Sequence, residues 1–196
     1  MTSLNKGAMF GIDARIALAI FGALSVISGA ALYSAIKQAK ITAEITQMDE
    51  YSKALSQYML DTGGDLPFAT GMSAATKELI SSKADGWKGP YIDGSVYGAN
   101  YIKHPKYKWL TIDYAPNKSF SYSPSIKTCS DASNAGEACY YWLVFSEVPD
   151  QMVIGLEAAI DGDADPENGK FRYAQGGRPA GTKIVYYRLH PTIKKY

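Results

Sequence analysis

Between Ile16 and Ile36 the chain carries no charged residue, and from Lys37 to Thr62 it carries neither glycine nor proline. The first run is long enough to cross a bilayer as a helix, which takes about 20 residues. Ser25, Ser28 and Ser34 make it less apolar than a typical anchor, while Gly22, Ala23, Gly29 and Ala30 would let a second helix approach closely. Beyond it, Ile41, Ile45, Met48, Leu55, Tyr58 and Met59 recur at roughly helical spacing. Gly63 and Gly64 then supply a stop, with Pro67 beyond. One helix is therefore expected from about Phe10 to about Thr62, apolar all round in its first half and amphipathic in its second. At about 1.5 Å per residue it would be about 80 Å long, against a mean of about 12 residues for helices in globular proteins. A signal peptide cut near residue 31 and a buried core helix compete for the same run. A signal peptide fits poorly, because only Lys6 precedes Asp13 and Asp13 precedes the apolar stretch.

The rest of the chain has a globular composition. At 196 residues one domain is the default, with room for a sizeable core. Fifteen tyrosines and 18 glycines point to strands and turns with half-buried aromatics. Lys and Arg number 20 against 19 Asp and Glu, so whole-chain charge gives no reason to expect a nucleic-acid partner, although it does not exclude DNA contact. Cys129 and Cys139 bracket a polar loop. Spacing alone allows a disulfide, a reduced pair or coincidence, and the membrane-targeting start tilts the choice toward a bridge in an oxidising compartment. Such a bridge would contribute roughly 2.5–3 kcal/mol.

Three stretches carry a resemblance. The chain opens MTSLNKGAMFGIDARIALAIFG, which resembles the N-terminus of type IV pilins and of the pseudopilins of type II secretion. In that family a short leader ends in a small residue, and an apolar helix follows with a Glu at its fifth mature position. Here the leader would be residues 1–8, cut between Ala8 and Met9, which places Asp13 at the fifth position. Cutting after Gly7 would shift Asp13 to the sixth. The chain departs from the family in having Ala before the cut, Asp in place of Glu, Arg15 inside the helix, and Gly29-Ala30 where the family has a kinking proline. The segment DGWKGPYIDG, Asp85 to Gly94, is similar to the Trp-Gly-x-Pro-Tyr turn of major pseudopilins. Val148 to Tyr173 looks like a late pilin segment of short helix and Gly/Asp/Asn turn.

The resemblance implies a reason for an acid at the mouth of an apolar run. Removal of the leader would leave an α-amino group on Met9 at the start of that helix. Packed among other helices, the ammonium needs a partner or must lose its proton. Asp13 of a neighbouring subunit would supply it and set the register between subunits. Arg15 would pair with Asp13 or reach the lipid headgroups. The plainer alternative is that Asp13 and Arg15 only mark membrane topology.

In the globular half, short helices are expected at Ser73–Ser82, capped by Ser73, and at Asp150–Ile160, with strands at Lys108–Ala115, Cys139–Val148, Lys170–Gln175 and Thr182–His190. This is an α+β domain with the long helix laid on an antiparallel sheet, as in pilins. The organisation is leader 1–8, membrane and filament-core helix 9–36, amphipathic continuation 37–62, and globular domain 63–196. The acidic turn holds Asp161, Asp163, Asp165 and Glu167. Alternating carboxylates can wrap calcium, and major pseudopilins bind calcium in a late loop. Pro166 and Arg172, however, occupy the Gly and Glu positions of an EF-hand loop, and a solvated turn closed by Asx hydrogen bonds is the alternative. His104 and His190 each sit beside a proline, in no triad or metal motif, and read as surface or turn residues. Tyr91, Tyr97, Tyr101 and Tyr107 with Lys103, Lys106 and Lys108 form a basic aromatic stretch. Such a stretch stacks on single-stranded DNA or sugar, or is simply an exposed loop.

The expected protein is a structural filament subunit and not an enzyme. The resemblance implies as partners other copies or other pilin-like subunits, a prepilin peptidase, an assembly ATPase and an inner-membrane platform. It implies a bacterial inner-membrane location before assembly and a periplasmic or extracellular filament after it. The alternative is a single-pass, signal-anchored extracytoplasmic domain that binds a ligand without polymerising.

Overall fold

The computed structural model describes residues 7–117, 129, 137–162, 165–175 and 179–194. The chain forms two compact units, one ending at Ala43 and one running from Glu44 to Tyr196. Helix α1, Gly7–Thr62, runs unbroken through the boundary between them. The helix thus begins three residues earlier than the sequence suggests and stops where Gly63, at φ 68°, takes the left-handed cap.

In the first unit every described side chain from Gly11 to Lys40 is exposed. Ile12, Ile16, Leu18, Phe21, Leu24, Val26 and Leu32 are among the large apolar groups left uncovered. This is the one described helix long and apolar enough to cross a membrane, with a mean hydropathy of 2.1 over its most apolar window.

The second unit is α+β. From Glu44 the helix buries a stripe of Glu44, Met48, Tyr51, Ala54, Leu55 and Tyr58. Spacings of three and four keep these residues on one face. The described strands are β1 (Phe68–Thr70), β2 (Ser73–Ala74), β3 (Val96–Tyr97), β4 (Tyr101–Ile102), β5 (Leu110–Pro116), β6 (Cys139–Pro149), β7 (Phe171–Ala174) and β8 (Thr182–Pro191). They form one antiparallel sheet in the order β1-β2-β5-β6-β8-β7, and β4 joins the same edge of β5 further along and carries β3. Helix α2, Asp150–Ile160, follows β6 directly and buries Val153 and Leu156.

Alternation divides the sheet into two faces. Leu110, Ile112, Tyr114, Tyr141, Leu143, Phe145, Val185 and Tyr187 lie on the first. Helix α1 covers it: Tyr51 packs on Phe145 with ring centroids 6.2 Å apart, and the Tyr187 hydroxyl donates to Asp49 Oδ1 at 3.1 Å. His190 Nε2 meets Ser56 Oγ at 2.9 Å. Ala115, Trp142, Val144, Ile184 and Tyr186 form a second cluster on the opposite face. Burial on both faces explains why β5 and β6 read as nearly continuous apolar runs.

One expected element is not formed. Ser73–Ser82 is no helix: Ser73–Ala74 pairs as β2 and only Thr76–Leu79 makes a 3₁₀ turn. Thr76 explains the difference. Its hydroxyl accepts from the Ile112 amide at 2.8 Å and lies 3.2 Å from Thr111 Oγ1, so the segment is tied to the sheet edge. A buried hydroxyl bonded to a strand outweighs the modest helix propensity of this stretch.

Candidate functional site

Three places in the molecule carry the residues singled out for function. The first is the start of α1. Ala8 and Met9 belong to its backbone, while residues 1–6 of the expected leader lie outside the described residues. Asp13 and Arg15 are both exposed. Two positions apart on a helix, they point about 200° from each other, so they do not face. No ion pair joins them among the described residues. Within one chain both charges are exposed and apart.

The second place is the segment Asp85–Gly94 against the C-terminal turn of α1. Gly86 lies at φ 79°, and a Cβ there would sit 2.2 Å from the Asp61 carbonyl oxygen. Lys88 Nζ and the Tyr91 hydroxyl both donate to the Asp61 carboxylate, at 3.2 and 2.9 Å. A bond from the Gln57 side chain first, then those from Tyr91 and Lys88, hold that carboxyl below its usual range. Tyr91 is also edge-on to Tyr58 and to Trp87, whose indole donates to the Glu78 carbonyl at 3.0 Å. The motif is a clamp on the helix end. Beside it a groove of about 570 Å³ runs between Glu50, Lys53 and Gln57 of α1 and Tyr91, Ile92 and Asp93.

The third place is the acidic turn. Asp161 accepts from the amides of Lys170 at 3.1 Å and Phe171 at 2.7 Å. Asp165 accepts from the amides of Glu167 and Asn168 and from the Asn168 side chain at 2.7 Å. The Asn168 and Glu167 bonds hold the Asp165 carboxyl below its usual range. Asp165 therefore closes the turn by Asx bonds, while Asp161 ties the end of α2 to the start of β7. Among the described residues no group of three or more His, Cys, Asp and Glu side chains is gathered as metal ligands, and Asp163 lies outside them. Arg172 points inward instead, its guanidinium 4.7 Å from the centre of a Trp142 ring.

Cys129 and Cys139 are joined, with Cα atoms 5.7 Å apart. The bridge ties Cys129 to the first residue of β6.

Sequence reasoning missed one buried polar cluster and misplaced a histidine. His104 is not at the surface; it is 2% exposed, stacked on Tyr107 at 4.6 Å and edge-on to Phe145. Its Nδ1 accepts from the amides of Lys106 and Tyr107 at 3.2 and 3.0 Å, which assigns the proton of the neutral ring to Nε2. Burial pushes its pKa down to about 4. Glu44, equally buried, is ion-paired to Lys106. Burial first and Glu44 second push the Tyr107 hydroxyl up. The only sequence signal was the polar residue Glu44 at a core-facing position of the helical stripe.

Asp113, on β5, is also perturbed. It is buried, its Oδ1 has no hydrogen-bond partner, and burial raises its pKa to about 6. The two groups act in opposite directions as pH falls from about 6.5 to 4. His104 takes up a proton in the unfolded chain before it does in the folded one, so acid costs stability. Asp113 holds a proton in the folded chain at a pH where the unfolded chain has lost it, so acid adds stability. Asp113→Asn is accordingly expected to raise stability at pH 7 by about 1–2 kcal/mol by removing a buried charge, and to steepen the acid loss. His104→Gln is expected to flatten that loss. Urea unfolding from pH 7 to pH 4 measures both; unchanged pH slopes in the two variants would contradict the assignments.

Comparison with family models, curated proteins and solved structures finds no match to this chain.

Proposed function

We propose that the chain is a subunit of a filament of the type IV pilus or type II secretion pseudopilus kind. In this reading the first half of α1 anchors the protein in the membrane before assembly and packs among other copies afterwards. The observation that carries the reading is α1 itself. It is unbroken from Gly7 to Thr62, apolar and uncovered in its first unit, and packed on an antiparallel sheet in its second. A monomeric anchor needs about 20 apolar residues; it does not need a continuous helix that also forms part of the domain core. Small residues Gly22, Ala23, Gly29 and Ala30 permit close helix contacts in the assembled state.

Cleavage after Ala8 would free the Met9 amine, and Asp13 of an adjacent subunit would neutralise it. Asp13 has no facing partner on its own helix, and its charge is tolerable in an apolar environment only when paired. The pairing therefore favours the assembled state over the isolated subunit. The experiment is recovery of sedimentable filaments from cells making the native chain and an Asp13→Ala variant. Filaments from the first alone support the reading; recovery of both as detergent-soluble monomer contradicts it.

A further inference from the structure

We infer that the β3–β4 hairpin is a binding site for neutral carbohydrate. This inference stands whether or not the chain polymerises. From Ser95 to Ile102 the sequence SVYGANYI contains no charged residue. A solvated hairpin ordinarily carries polar residues, yet both residues of β3 are exposed, Val96 by 49% and Tyr97 by 41%. Tyr97 and Tyr101 are direct cross-strand partners, so their rings leave the same face of the hairpin. Tyr101 in turn stacks on Trp109 with centroids 4.6 Å apart and planes inclined by 25°. The result is a row of aromatic residues at the sheet edge, with Asn100 and Ser95 beside it and Gly98 at φ 65° making the turn. Val96, next to Tyr97 on β3, leaves the opposite face of the hairpin and lines a separate groove there.

The chemistry selects the occupant. Aromatic faces pack against the C–H faces of pyranose rings, while amide and hydroxyl groups bond the sugar hydroxyls. A polyanion is disfavoured. Binding nucleic acid rests on neutralising several phosphates; of the three lysines that follow the hairpin, Lys106 is ion-paired to Glu44 and Lys108 to Glu147, and Lys103 alone is in no ion pair among the described residues.

The test uses the full chain in a phosphocholine detergent, which carries no sugar headgroup. It is applied to an array of neutral cello-, malto-, chito- and galacto-oligosaccharides, sialylated and sulfated glycans, and a thymidine oligonucleotide. The expected result is retention of neutral glycans, with saturation transfer in NMR from the protein to sugar C–H protons. Tyr97→Ala should weaken binding at least tenfold without changing the near-ultraviolet circular dichroism of the fold, and Tyr97→Phe should keep it. Failure to retain any neutral glycan would overturn the inference. So would equal binding by Tyr97→Ala, or salt-sensitive retention of the oligonucleotide or the acidic glycans alone.

Discussion

Asp13→Ala is expected to abolish filament assembly while leaving the globular unit folded. Removing one partner of a buried ion pair costs about 3–5 kcal/mol, because the other charge stays buried alone. At about 1.4 kcal/mol per tenfold, each subunit contact would weaken at least a hundredfold, and a polymer multiplies that loss at every step. Asp13→Glu should retain assembly, since it keeps the carboxylate and adds one methylene. Asp13→Asn should fall with the alanine variant, because the charge is what the amine needs. Asp13 lies in the first unit and the sheet with its packed helix in the second, so thermal unfolding of the globular unit should be the same in all four proteins. Quantitative sedimentation with electron microscopy of the pellet measures assembly. Native yields of filament from Asp13→Ala would remove the pairing from the account.

Gly86→Ala is expected to be the most damaging small substitution in the globular unit. Two costs combine at this residue. The backbone is left-handed, at φ 79°, which costs a residue with a side chain about 1–2 kcal/mol. The new methyl would also lie 2.2 Å from the Asp61 carbonyl oxygen and 3.2 Å from its carbon, and both are backbone atoms of α1. The segment must retreat, taking Lys88 and Tyr91 off the Asp61 carboxylate. A total of about 3–4 kcal/mol is expected, lowering the melting temperature by about 10 °C. Gly63→Ala is the control. It shares the left-handed backbone, at φ 68°, but its Cβ would meet nothing within 4 Å, so it should cost only about 1 kcal/mol. Equal losses in the two variants would show that the close approach to Asp61 is unimportant.

Much of this architecture is legible in the residues. The helix is announced by 26 residues without glycine or proline and ended by Gly63. Helix α2 spans Asp150–Ile160 as its pattern indicates, although Asp150 makes no capping bond and Pro149 stands at the cap. The longer strands show in the apolar runs of β5, β6 and β8. Short edge strands do not: β1 has three residues and β2, β3 and β4 two each, too few for any period to register. Long-range polar ties are hidden for a different reason. Thr76 on β5 and Glu44 on Lys106 each depend on a partner that only the fold brings near, and His104, whose bonds are local, is buried by Phe145 from β6. The clamp on Asp61 was legible as a motif but not as a contact. The acidic turn offered two chemistries, and its hydrogen bonds show Asp161 and Asp165 holding their own loop.

The most direct test of the filament account is the intact mass, with N-terminal fragmentation, of the chain taken from its native membrane. The account expects a protein that begins at Met9, with a free or methylated amine four residues before Asp13. A chain that still begins at Met1 would place no amine near Asp13 and would contradict the assembly mechanism. A chain beginning near residue 31 would contradict it more deeply, because the apolar half of α1 would then be absent from the mature protein.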